Sequence, residues 1–66
     1  MSVIKVVEIM SSSSKSWEDA TASGVAKAAK SIKNIKSAFV QSQSATVQKG
    51  KIKDYRVNLK ISFEVT

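Results

Sequence analysis

The chain has 66 residues, no Cys, no His, and a formal charge of +6 from eleven Lys and Arg against five Asp and Glu. Disulfides are excluded, as are thiolate or imidazole metal sites, and Cys- or His-based catalysis has no group to work with. The length allows one domain, and a single core of this size rarely supplies more than about 3–5 kcal/mol, so self-association is the expected remedy.

The first apolar run, residues 3–10, is interrupted by Lys5 and Glu8. It is too short and too charged for a membrane span or a signal sequence, so the chain reads as a soluble, mature, cytoplasmic protein with no membrane partner. The same run predicts a first strand over about residues 2–10. Its apolar residues fall on both faces, which predicts cover on both sides for part of its length. Residues 11–14 are four serines, read as a turn. Ser13 and Ser16 are both suited to cap a helix, because a serine hydroxyl accepts from unpaired N–H groups. Ser16-Trp17-Glu18-Asp19 resembles a capping box with Asp in place of Glu or Gln.

A helix is predicted over about residues 14–33. At 100° per residue Trp17, Ala20, Thr21, Gly24, Val25, Ala28 and Ile32 share one face, and Asp19, Ser23, Ala26, Lys27, Lys30 and Lys33 the other. Gly24 costs about 1 kcal/mol relative to Ala in a helix interior, so close packing is expected there. Asn34 ends the helix. Residues 35–47 read as a polar second strand with Phe39 and Val40 as its apolar anchors, and Gln48-Lys49-Gly50 makes a turn.

The last strand, about residues 52–66, carries the strongest pattern. Tyr55, Val57, Leu59, Ile61, Phe63 and Val65 alternate with Arg56, Asn58, Lys60, Ser62, Glu64 and Thr66. Side chains alternate across a strand, so this is a long strand with one apolar and one polar face. The order is strand, helix, strand, strand, in one domain over residues 1–66.

That order, with Met-Ser-Val-Ile-Lys-Val-Val-Glu-Ile at the start, Ser-Trp-Glu-Asp-Ala at residues 16–20 and Tyr-Arg-Val-Asn-Leu-Lys-Ile-Ser-Phe at residues 55–63, resembles the dodecins along essentially the whole chain. The resemblance implies an α+β fold of β-α-β-β order, a three-stranded antiparallel sheet wrapped around one helix, and a hollow homo-dodecamer. It also implies binding and storage of a small ligand without turnover, typically a flavin such as riboflavin or FMN. Flavin-binding members stack the flavin on a Trp early in the second strand and add a Gln one residue after the Tyr of the last strand. Those positions match Ser37 and Arg56 here. This Trp-less, Tyr-Arg pattern is similar to the branch that includes calcium-associated dodecins.

Ser37 and Arg56 are therefore the candidate ligand-binding residues. Serine has no π-face to stack on a flavin. Arginine grips phosphate or carboxylate with two parallel hydrogen bonds, which suits an anionic ligand such as a phosphate-bearing coenzyme. The competing reading is an ion pair from Arg56 to Glu64 or Asp54 of a neighbouring copy. Calcium needs several oxygen ligands, and the five carboxylates are scattered, so a calcium site would be assembled across subunits. Trp17, Tyr55 and Phe39 read as packing residues.

The positive charge favours anionic partners in general, though a lysine-rich surface is most often only solubilising. Lys49, Lys51 and Lys53 cluster at the turn, and Lys27, Lys30, Lys33 and Lys36 stripe the helix end. A nucleic-acid module is the rival reading, but no aromatics interleave with these lysines. No serine has a visible base and no glycine-rich phosphate loop is present, so the chain is not read as an enzyme.

Overall fold

The computed structural model describes residues 3–65. The elements are β1 (Val3–Ser13), α1 (Trp17–Ala28), β2 (Ile35–Gln48) and β3 (Lys51–Val65). Both β1 and β2 pair antiparallel with β3, giving the sheet order β1-β3-β2. The most regular sequence pattern thus becomes the central strand, whose backbone groups are bonded on both sides. Thr66 and Ser2, placed at strand ends by the sequence reading, lie outside the described residues.

The helix packs on the odd-numbered face of β3. Val57, Leu59 and Ile61 are fully buried there with Ala20, and Val7, Ile9, Trp17, Val25 and Ile35 pack around them. Fully burying an aliphatic side chain is worth about 1.5–3 kcal/mol. Among the described residues only three large side chains reach that state, so the core is thin. Tyr55 and Phe63, farther along this face, are half-buried, and Val65 at its end is exposed.

The close approach expected at Gly24 is present. A Cβ at this position would lie 2.9 Å from Ser11 Cβ and 3.1 Å from Leu59 Cδ1. Gly24→Ala is expected to lower the melting temperature, although alanine is the better helix former. Overpacking costs typically about 1–3 kcal/mol, against about 1 kcal/mol gained in propensity. A thermal melt in which Gly24→Ala is the more stable protein would contradict this packing.

Three of the four serines are not in the expected turn, since β1 runs on through Ser13, with Ser11, Ser12 and Ser13 opposite Val57, Arg56 and Tyr55, and the chain bends only from Ser14. The long β3 offers a partner for their backbone, and this outweighs the local preference of serine for turns. Ser11 has a second reason to be small, because it lies under Gly24. Of the two candidate caps, Ser16 is the one used: its backbone is extended and its hydroxyl accepts from the Asp19 N–H at 2.9 Å. Ser13 instead donates to Asp19 Oδ2 at 2.6 Å and accepts from the Lys15 N–H at 2.9 Å.

The regular helix stops at Ala28, short of residues 31–33. Lys30 and Ser31 donate to carbonyls three residues back, the tightening common in a last turn. Asn34 then takes a left-handed φ of 64°, which a short polar side chain tolerates, and the chain turns into β2. The hairpin between β2 and β3 turns on Lys49 and Gly50, with φ of 54° and 75°. Two successive left-handed residues match the twist of the flanking strands.

A 12-residue helix spans about 18 Å, whereas the 15 residues of β3 span about 50 Å. The helix therefore covers a minor part of one sheet face, and the chain is elongated, 51 × 19 × 14 Å. The expected double-sided cover of the first strand is absent within one chain. Val7 and Ile9 face the helix, but Val6 and Met10 are 55% and 58% exposed on the other face. Phe39 does not anchor β2 to the core and is 63% exposed. It stands opposite Lys60 on the outer face, while Val40 stands opposite Leu59 on the inner face.

Candidate functional site

The sheet face turned away from the helix brings together residues from all three strands. Along β3 it carries Asp54, Arg56, Asn58, Lys60, Ser62 and Glu64. Their β1 neighbours include Ser12, Met10, Glu8, Val6 and Ile4, and their β2 neighbours Thr46, Ser44, Ser42, Phe39 and Ser37. Directly opposed side chains on one face stand about 5 Å apart, so each rung is a small side-chain set.

Ser37 and Arg56 both lie on this outer face but are not brought together. Ser37 pairs with Ser62, and their hydroxyls are hydrogen-bonded to each other. Arg56 is six residues away along β3, about 20 Å. A pocket containing both would need two copies of the chain. Phe39 lies one rung from Ser37 and is the only aromatic side chain on this face among the described residues.

Arg56 is half-buried between Ser12 on β1 and Ser44 on β2. Its Nη2 donates to Met10 Sδ at 2.7 Å. Beside it, Thr46 Oγ1 accepts from the Asp54 N–H at 3.1 Å and lies 3.5 Å from Asp54 Oδ2. Met10, Ser11, Ser12, Thr46, Asp54 and Arg56 line a depression of about 330 Å³. No sequence signal pointed to Ser12 and Ser44 as neighbours of Arg56; only the strand register places them there.

Trp17 is on the inner side, as a packing residue. Its ring meets Tyr55 edge-on with centroids 4.9 Å apart, and its Nε1 donates to the Ser44 carbonyl at 2.8 Å. The chain is thus Trp-less only at the strand position matched by Ser37; the indole is present, and the helix holds it.

The carboxylates do not gather. Among the described residues no three acidic side chains form a metal-holding group. Glu18 and Asp19 sit in the first turn of α1, where the helix dipole disfavours a cation. Glu8 stands opposite Lys60, and Asp54 lies two residues from Arg56. A calcium ion takes six to eight oxygens, typically with more than one carboxylate. The donors of one chain do not fit that need.

No helix among the described residues is long and apolar enough to cross a membrane. The fold is a β-α-β-β sheet with one covering helix, and the dodecin family model matches residues 3–66. The chain belongs to the dodecin family. It is 42% identical to the calcium dodecin of Mycobacterium tuberculosis, over 98% of this chain and 92% of that protein. A crystal structure described as that organism's calcium dodecin with a novel calcium-binding site matches at 40% identity and a TM-score of 0.85, over 97% of this chain and 91% of that one. A mutant of the Thermus thermophilus dodecin matches at 26% identity and a TM-score of 0.94, over 100% of this chain and 98% of that one.

Proposed function

We propose that the protein assembles as a hollow homo-dodecamer and binds calcium at oxygen sites completed between copies. The observation that carries the ligand is the 42% identity to a protein named calcium dodecin. Two features of this chain agree with it. Ser37 puts a hydroxyl, a hard oxygen donor, where flavin binders are expected to have an indole. Glu8 and Glu64 make no side-chain hydrogen bond among the described residues, so their oxygens are free to meet a cation shared with another copy. The assembly is supported by the outer face, where Ile4, Val6, Met10 and Phe39 are all about half exposed or more.

The test is calorimetric titration of calcium into chelator-stripped protein. Saturable binding is expected for the assembled protein, and it is expected to disappear when the assembly is dispersed. Equal binding by dispersed chains, or none by the assembly, would refute the proposal. A flavin is the second reading, favoured by the exposed ring of Phe39 one rung from Ser37. An absorbance spectrum of the assembly as isolated separates the two, because flavin bands would restore the family's typical ligand.

A further inference from the structure

We propose that Arg56, with the hydroxyls of Ser12 and Ser44, forms an oxyanion site of its own on the outer sheet face, suited to a phosphate group. The inference starts from an imbalance of hydrogen bonds. A guanidinium is always charged and carries five N–H donors. Arg56 is half-buried, yet among the described residues its guanidinium donates to a thioether sulfur and to no oxygen. Thioether sulfur is a weak acceptor and brings no charge. The Arg56–Met10 contact is exposed, so the remaining guanidinium N–H groups are open to an anion from solvent.

The surroundings have the chemistry of an anion cradle. Ser12 and Ser44 are the cross-strand partners of Arg56, one on each side. Both hydroxyls can donate to an anion held over the guanidinium. Their backbones are fixed by the sheet: Ser12 lines the depression beside Arg56, and Ser44 flanks the guanidinium's strand from β2. The depression of about 330 Å³ beside Arg56 leaves room for a phosphate group. The one carboxylate lining it, Asp54, is turned to Thr46 Oγ1 at 3.5 Å. Arg56 also makes this end of the face a poor place for a calcium ion, so the anion site and the calcium proposal stand or fall separately.

The experiment titrates inorganic phosphate into chelator-stripped, assembled protein in phosphate-free buffer, with sedimentation run on the same samples. The native protein is expected to give a saturable isotherm. Arg56→Gln is expected to bind roughly tenfold to a hundredfold more weakly, the usual worth of hydrogen bonds to a charged group. Arg56→Lys keeps the charge but loses the planar fork, and is expected to fall between the two. It also serves as the informative variant if the glutamine protein does not fold. Ser12→Ala with Ser44→Ala is expected to weaken binding with assembly unchanged. Absence of a saturable isotherm in the native protein would overturn the site. So would unaltered phosphate affinity in both arginine variants. Loss of assembly in Arg56→Lys would assign the guanidinium to a carboxylate of a neighbouring copy instead, and would equally overturn it.

Discussion

Leu59→Ala is expected to unfold the chain at ordinary temperature. Leu59 is fully buried at the middle of the central strand, one of only three large side chains in that state among the described residues. Its Cδ1 is also among the atoms that Gly24 approaches closely, so it fills the space under the helix. Truncating a buried leucine costs about 2–5 kcal/mol, depending on how far the site collapses. Collapse is restricted here, because the helix already touches the sheet at Gly24 and Ser11. A core of this size supplies only about 3–5 kcal/mol, so the loss is comparable with the whole. Circular dichroism on heating reads the outcome directly. A variant that melts within a few degrees of the native protein would show that Leu59 is not central to the core.

Charges placed on the outer face are expected to act through assembly instead. Val6 and Phe39 are 55% and 63% exposed in the single chain, and both lie on the face the helix does not touch. In a lone subunit, Val6→Asp or Phe39→Asp would be close to neutral, as surface substitutions usually are. In an assembly that covers this face, each would bury an unpaired carboxylate, at about 3–5 kcal/mol per site. The expected result is dispersal, with loss of ordered structure following. Size-exclusion chromatography separates the cases: a variant eluting with the native protein would place these residues outside the contact.

The two predictions differ in how much of their basis was legible beforehand. Val57, Leu59 and Ile61 could be read as a buried set from the alternation alone, because strand side chains repeat every two residues. Gly24 could be read from its cost in a helix interior. The faces of β2 could not be read, and the reason is physical. Register irregularities fall between Ile35 and Ser37, between Val40 and Ser42, and between Thr46 and Val47. The first two break the period of two, so residues two apart, such as Ile35 and Ser37 or Val40 and Ser42, stand opposite β3 residues of opposite faces. The serines at residues 11–13 were misread for a related reason. Local preference favours a turn, but pairing with a long partner strand is a property of distant residues.

The same limit applies to the candidate site. Arg56 is a candidate by its position after Tyr55, and Ser37 by its position early in the second strand. Their separation along the outer face depends on pairing that no local pattern encodes. So does the placement of Ser12 and Ser44 beside the guanidinium. The scattering of the carboxylates was visible in the sequence, and the structure gives it a consequence: a metal ion would need oxygens from more than one copy.

Sedimentation velocity on the native protein at low micromolar concentration tests the dependence of each subunit on its copies most directly. The expected result is one ordered species of about twelve times the 7.1 kDa chain mass, with no folded smaller particle on dilution. A compact, well-folded particle of 7.1 kDa would contradict it.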